Sequence, residues 1–151
     1  MKQQFIDNIN AGKFFDAKKL ISAMSPEGML TFLQGLTFET NLISIYTFIA
    51  FLLLENETIF LHQCARSILC ISMWEGANAA ALLHSQRIYE LDPHDIAKKA
   101  SVLSYFGTPD CTITRQEAQK MAQEILAQDP QNKIALSTLE FLSLKTVKDV
   151  N

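Results

Sequence analysis

The stretch GANAAALLHSQRIYELDP, residues 76–93, decides the fold because part of its spacing recurs further along the chain. Within it, Gly76 precedes Ala81 by five residues, and Ala81 precedes Pro93 by twelve. The stretch AQKMAQEILAQDP, residues 118–130, again separates its first alanine from its proline by twelve residues. The two prolines are 37 residues apart. A period near this length is typical of stacked helical pairs, which usually bind other macromolecules.

The rest of the chain predicts an all-α protein. Sustained apolar/polar alternation and Asn-Gly turns are missing, and apolar residues recur with the 3.6-residue period of a helix. We therefore expect a single domain over residues 1–151 with eight or nine antiparallel helices, either a superhelix or a compact bundle. The predicted helices cover about residues 2–10, 14–24, 26–38, 41–54, 57–72, 75–91, 95–106, 115–128 and 131–145.

Charge and composition limit the classes of partner. The 151 residues carry a net charge of −3, with acidic and basic residues interspersed. The absence of a basic stripe argues against direct nucleic-acid binding. A mildly acidic protein can still cover a basic protein partner, such as a toxin domain.

The longest uncharged stretch is TNLISIYTFIAFLLL, residues 40–54. At 15 residues it is short for a bilayer span, so it predicts a helix buried on most sides in the core.

The start of the chain has no apolar run of the signal-peptide type, and the three cysteines have no paired spacing. These features favour a cytoplasmic protein without a membrane segment.

The spacing in residues 76–93 resembles the tetratricopeptide repeat. That family places a glycine in the turn of each helical hairpin, a small alanine where the helices touch, and a proline after the second helix. Gly12 and Ala17 fit the first two positions, and residues 118–130 fit the last two, with Ile113 where the glycine would stand. The middle of the chain, residues 26–72, does not follow the pattern. The resemblance implies tetratricopeptide-like stacking of antiparallel helices.

A second resemblance concerns layout. The segments EGANAAALLHSQRIYELDP, residues 75–93, and QEAQKMAQEILAQDPQNK, residues 116–133, look like small helical bacterial immunity proteins. Proteins of that class bind and neutralise a toxin that is encoded beside them. The resemblance implies a small cytoplasmic inhibitor without catalysis.

Six polar or aromatic residues are candidates for partner binding. They lie on two neighbouring predicted helices or at their boundary: His62, Arg66, Trp74, Glu75, His84 and Arg87. His62 and Arg66 share a helix face because they are four residues apart. The only tryptophan is either an interface anchor or a core residue between helices. Glu75 and His84 are nine residues apart and would fall on opposite sides of one helix.

The sequence predicts no metal and no cofactor. Pairs with metal-ligand spacing, such as His-x-x-x-His or Cys-x-x-Cys, are missing. The two candidate histidines are therefore expected to be partly buried and hydrogen-bonded between helices. Cys111, before a predicted helix start, is the one candidate nucleophile, but no base is assigned to it.

Three hypotheses follow, in order of preference. The first is a non-enzymatic binding protein, most specifically an immunity protein that neutralises one toxin. The second is a tetratricopeptide-like adaptor or regulatory protein that binds a peptide or a folded partner. The third is an enzyme that uses His62, Glu75 or His84.

Overall fold

The computed structural model describes residues 1–108 and 110–148. This part of the chain is all α-helical, with nine helices and no β-strand, as the periodicity predicts. The helices are α1 Lys2–Asn10, α2 Phe14–Ile21, α3 Pro26–Thr40, α4 Ile43–Glu55, α5 Ile59–Ile71, α6 Ala77–Leu91, α7 Ile96–Leu103, α8 Arg115–Gln128 and α9 Lys133–Lys148.

Side-chain caps begin α3, α5, α7 and α9, and a capping box begins α8. The hydroxyls of Ser25 and Thr58 accept hydrogen bonds from the third residue of α3 and α5, at 3.1 Å and 3.2 Å. Asp95 and Asn132 cap α7 and α9 in a similar way. These caps are 33, 37 and 37 residues apart. Two of these four caps begin helices within residues 26–72, which do not follow the glycine–alanine–proline pattern.

The glycines and alanines of the sequence pattern have the expected local roles. Gly12 and Gly76 adopt left-handed φ values of 70° and 75°, which favour glycine because it has no Cβ. Ala17, Ala81 and Ala118 are fully buried. A small side chain at such positions lets helix backbones approach closely. The turn positions of Gly12 and Gly76 are as expected, whereas close helix approach at the three alanines stays a prediction.

The chain forms two compact units, Met1–Ala77 and Asn78–Asn151. The predicted single domain over residues 1–151 stays a prediction. In the described residues, no helix combines the length and the apolar character that a bilayer span requires. The predicted core helix is α4, which buries Ile45, Phe48 and Ile49, while Leu54 at its end is exposed.

The first unit has a core of large aromatic and aliphatic side chains. The ring of Phe5 packs edge-on against Phe32 and Phe48, with ring centroids 5.2 Å apart in both pairs. Such aromatic pairs add about 0.5–1.5 kcal/mol beyond the area they bury. Phe14 packs against the same cluster from α2. Large rings therefore fill the space between α1, α2, α3 and α4.

Two contacts set the direction of the helices in the first unit. Gln34 in α3 donates to the hydroxyl of Ser67 in α5 at 2.5 Å. Asn41, just after α3, accepts from Trp74, just after α5, at 3.0 Å. In both pairs the partners are 33 residues apart, so positions along α3 match positions along α5 in the same order. The two helices therefore run parallel, and α4 runs in the opposite direction between them.

The second unit has a core of small side chains. Ala100, Ala118, Ala122 and Ala135 lie with larger residues such as Ile125 at the meeting of α7, α8 and α9. Small residues at a helix contact allow a short interaxial distance. The N-terminus of α8 is fixed by a capping box between Thr114 and Glu117, as the sequence predicts.

Candidate partner-binding site

One corner of the first unit joins the ends of two helices through Asn41. This residue follows α3 in the left-handed conformation, with a φ of 49°, which asparagine tolerates better than most residues. Its backbone carbonyl accepts from the Trp74 indole Nε1 at 3.0 Å. Its side-chain oxygen Oδ1 accepts from the Met73 backbone nitrogen at 3.4 Å. The segment after α5 is therefore tied to the turn between α3 and α4.

Large apolar side chains close to this corner along the chain are exposed to solvent. Phe38 is 85% exposed, Ile43 is 61% exposed and Met73 is 91% exposed. Phe38 lies three residues before Asn41, and Ile43 lies two residues after it. We call Phe38, Ile43, Met73 and Trp74 the corner patch. Exposed apolar patches on small proteins usually mark sites of interaction, because burying them in a complex is favourable.

Trp74 is the anchored member of the corner patch. Its ring is half-buried and packs against the core of the first unit, so it combines contact with the core and exposure to solvent. Its Nε1 hydrogen bond fixes the ring, so little side-chain entropy is left to lose on binding. Charged groups flank the patch, with Glu75 exposed and Glu39 in an ion pair with Lys2.

A groove of about 380 Å³ lies at the other end of α4 in the first unit. Its walls are mainly apolar, and the ion pair between Lys18 and Glu55, at 2.9 Å, lies on its rim. We call it the Met-lined groove. Its apolar residues are Ile21, Met24, Met29, Leu52, Phe60 and Leu61.

The second unit has a wider groove of about 610 Å³ between α6, α7 and α8. Lys99 forms an ion pair with Glu124 and lies 5.5 Å from the centre of the Tyr89 ring. Burial by itself lowers the pKa of Lys99, but hydrogen bonds to Glu124 and Tyr89 outweigh it and raise the pKa overall. The same hydrogen bond lowers the pKa of Glu124. Both groups therefore stay charged at neutral pH and neutralise each other.

The structure places four of the six predicted binding residues in the first unit and two in the second. Trp74 and Glu75 lie at the corner. His62 lies near the opposite end of α5, about 14 Å before the last helical residue, Ile71, at 1.5 Å per helical residue. It is only 7% exposed, and its Nε2 is 3.0 Å from the Glu57 carboxylate. Arg66 follows one turn later and is half-buried.

The other two predicted residues belong to the second unit. His84 is half-buried on α6, and Arg87 pairs with Glu90 at 2.9 Å. Glu75 precedes α6, which begins at Ala77, so the prediction that Glu75 lies on that helix was wrong. The turn forms because Gly76 adopts a left-handed φ and delays the helix start.

The sequence interpretation missed Phe38, Asn41, Ile43 and Met73. Phe38 and Ile43 had been assigned to predicted helices, but their exposure to solvent had not been predicted. Asn41 could have been found, because asparagine after a helical stretch often ends the helix in the left-handed conformation. Met73 could have been found through Trp74, because it directly precedes a tryptophan that is a candidate anchor.

Two cysteines were candidates for chemistry or packing. Burial raises the pKa of the Cys64 thiol to about 11, so it is protonated and a poor nucleophile at neutral pH. Cys111 is half-buried, and its sulfur accepts from the Ile113 backbone nitrogen at 3.4 Å. Within residues 1–108 and 110–148 there is no group of three or more His, Cys, Asp or Glu side chains that could hold a metal ion.

Comparisons of the chain with models of protein families, with curated proteins and with solved structures find no match.

Proposed function

We propose that this protein is a non-enzymatic, cytoplasmic protein-binding module whose corner patch contacts its partner. The observation that carries the proposal is the combination of an anchored tryptophan with three exposed apolar side chains around one backbone turn. Binding energy at protein interfaces is concentrated in a few such residues, and tryptophan is the most enriched type.

The most specific form of the proposal is an immunity protein that binds and neutralises one toxin. Its support is the layout of residues 75–93 and 116–133, the small size and the net charge of −3. An acidic inhibitor attracts a basic toxin domain and speeds their encounter. In this form the corner patch would cover part of the toxin, and the excess of carboxylates would steer the approach.

The toxin proposal can be tested by genetics. Each protein encoded next to this one is expressed in a host that lacks both genes, with and without this chain. We expect one neighbour to stop growth and co-expression of this chain to restore it. If no neighbour is toxic, or if this chain does not protect, the immunity proposal fails.

The corner patch is tested by two substitutions in the purified complex, Phe38→Ser and Met73→Ser. Both side chains are exposed, so the fold should be retained, and each change should weaken binding at least about fivefold. The matched control is Leu83→Ser, which removes an equally apolar side chain that is 65% exposed in the second unit. Titration calorimetry measures all three. If both corner variants bind the partner with wild-type affinity, the corner patch is not part of the binding surface.

A second candidate function is a tetratricopeptide-like adaptor that binds peptides. The Met-lined groove favours it, because apolar grooves of this size receive side chains from a peptide or helix. An adaptor binds short synthetic peptides, whereas an inhibitor needs the large surface of a folded partner. Affinity for peptides cut from the partner sequence, compared with affinity for the intact partner, separates the two.

A further inference from the structure

We propose that two copies of this chain associate through the outward-facing side of α4, as a symmetric antiparallel pair of α4 helices. Four residues define this side, which we call the outer α4 face: Ile43, Thr47, Ala50 and Leu54. The contact is separate from the proposed function, because self-association requires no other partner.

The outer α4 face lies opposite the side that α4 buries in the core. The buried side consists of Ile45, Phe48, Ile49 and Leu52. At about 100° per helical residue, the four outer positions fall within an arc of about 60°, and its centre is about 180° from that of the buried four. Ile43 is 61% exposed and Leu54 is 89% exposed. A helix that packs on a core usually carries polar groups on this side, whereas here none of the four residues is charged.

The sizes of the side chains along the outer α4 face are the same when read from either end. Large Ile43 and Leu54 lie at the ends, smaller Thr47 and Ala50 lie between them, and the spacings are 4, 3 and 4 residues. Such spacings are typical of a seam between two packed helices. A two-fold axis between positions 48 and 49 brings Ile43 against Leu54 of the other copy, and Thr47 against its Ala50. Small central side chains permit close approach. A symmetric contact requires a self-complementary surface of this kind, so the pattern favours a second copy.

Polar groups do not oppose this pairing. The one charged residue of α4 is Glu55, which forms an ion pair with Lys18 at 2.9 Å. The two-fold axis places the two Glu55 residues at opposite ends of the contact, about 20 Å apart at 1.5 Å per helical residue, so like charges do not meet. The Thr47 hydroxyl donates to the Ser44 carbonyl at 3.0 Å, so its donor is already paired when the contact forms.

The size of the apolar surface sets the strength of the contact. Phe15 in α2 extends the surface, because it is 65% exposed and its ring packs edge-on against Phe51 with centroids 5.1 Å apart. Covering the exposed parts of Phe15, Ile43 and Leu54 removes roughly 200–350 Å² of apolar surface per copy from water. Stable interfaces bury about 800 Å² per partner. The area therefore predicts a weak dimer that forms with rising concentration, with a dissociation constant of about 10–300 μM.

A lipid surface is the competing occupant of an exposed apolar face. Helices that lie on membranes combine such a face with basic side chains that attract anionic lipid. The two lysines of α2, Lys18 and Lys19, are ion-paired with Glu55 and Asp16. Their charge is therefore neutralised beside the outer α4 face, which favours the second copy over a membrane.

Sedimentation equilibrium of the full chain from about 5 to 500 μM tests the self-association. We expect a monomer–dimer equilibrium. Leu54→Glu should weaken it at least about tenfold, because a carboxylate would be buried against Ile43 of the other copy. The matched control Leu83→Glu makes the same change at a leucine that is 65% exposed in the second unit, and it should leave the equilibrium unchanged. Far-ultraviolet circular dichroism checks that each variant retains its helices.

A mixture of two variants tests the antiparallel register. Ile43→Lys should also weaken self-association about tenfold. When it is mixed with Leu54→Glu, one end of the pair joins the introduced ammonium to the introduced carboxylate. The other end keeps the contact of Ile43 with Leu54. The mixed dimer should therefore form at least about fivefold more tightly than the dimer of either variant alone.

Three results would overturn the proposal: a chain that stays monomeric up to about 500 μM, equal losses with Leu54→Glu and Leu83→Glu, or no recovery in the mixture. A monomeric chain that binds vesicles of anionic lipid, and loses this binding with Leu54→Glu, would assign the face to a membrane instead.

The dimer and the proposed function fail independently. Ile43 belongs to both the corner patch and the outer α4 face, whereas Leu54 is about 16 Å from it along α4. Met73→Ser should weaken binding of the partner and leave the dimer intact. A dimer that persists when no partner is found would contradict only the proposed function.

Discussion

The two units of the protein achieve helical packing in different ways. The first unit fills its core with rings, such as Phe5 and Phe48, and leaves large apolar residues in solvent at both ends of α4. The second unit packs alanines at the contacts of α7, α8 and α9 and pairs lysines with carboxylates around them. The comparison teaches that helices of similar length can share a core of rings or a core of alanines, and that the alanine–proline spacing is clearer beside the alanine-rich core.

Removal of a ring from the first core should have the largest effect. Phe48→Ala leaves a cavity among edge-on aromatic neighbours and should lower the free energy of unfolding by about 3–5 kcal/mol. The matched control Phe38→Ala removes the same ring from an exposed position and should change it by less than about 0.5 kcal/mol. Urea unfolding followed by circular dichroism measures both. Similar losses in the two variants would contradict the assignment of core and surface.

Enlargement of a small residue should have the next largest effect, in the second unit. Ala118→Leu forces extra carbon atoms into a fully buried helix contact and should cost about 1–3 kcal/mol. Ala127→Leu makes the same change at an exposed position of the same helix and serves as the control. Hydrogen exchange of the α7–α9 amides reports the local stability. Equal protection of these amides from exchange in both variants would mean that the helix contact at Ala118 can accommodate a larger side chain.

Loss of a helix cap should have a smaller effect that is similar in both units. Ser25→Ala and Thr114→Ala each remove a side-chain acceptor from a helix start and should cost about 1 kcal/mol. Ser143→Ala is the control, because its exposed hydroxyl bonds within a helix rather than capping one. Thermal unfolding measures the three variants. A cost confined to one unit would show that the caps are not equivalent.

The smallest effect should come from the charged pair of the second unit. The lowered pKa of Glu124, chiefly from its hydrogen bond to Lys99, means that the pair stabilises the fold above the unfolded value of about 4.3. This contribution is lost as the pH falls through the folded pKa. Glu124→Gln should therefore cost at most about 1 kcal/mol at pH 7, since the carboxylate is partly exposed, and less at pH 3.

The control for this pair is Glu140→Gln, an exposed carboxylate with no ion pair among the described residues. It should change the free energy of unfolding little at either pH. Urea unfolding at the two pH values gives the difference between the variants. A pH-independent cost of Glu124→Gln would mean that the side chain stabilises the unit by packing rather than by charge.

Local features of the fold were predictable because they depend on residues close together in the chain. The proline and acid after Ser25, and the Thr114–Glu117 box, marked two helix starts correctly. The predicted second helix was three residues too long, because the chain leaves α2 at Ile21 and places Met24 in the following turn. Its side chain instead lines the groove, a role that no local pattern indicates.

The candidate site was predictable only through Trp74 and Glu75. The bonds from Trp74 and Met73 to Asn41 join residues 32 and 33 positions apart in the chain. Periodicity assigns an apolar residue to a helix face but does not say whether another helix covers that face. For this reason His62 was a candidate for binding although it is buried, and Phe38 was not although it is exposed.

The sequence by itself determined the helical class, most helix starts and several of the small residues that are buried. These follow from periodicity, capping chemistry and the size of single side chains, which act over a few residues. Only the tertiary structure decided which apolar residues remain in solvent and which residues line the Met-lined groove. Those outcomes depend on which helix faces meet, and that is set by the packing of the whole unit at once.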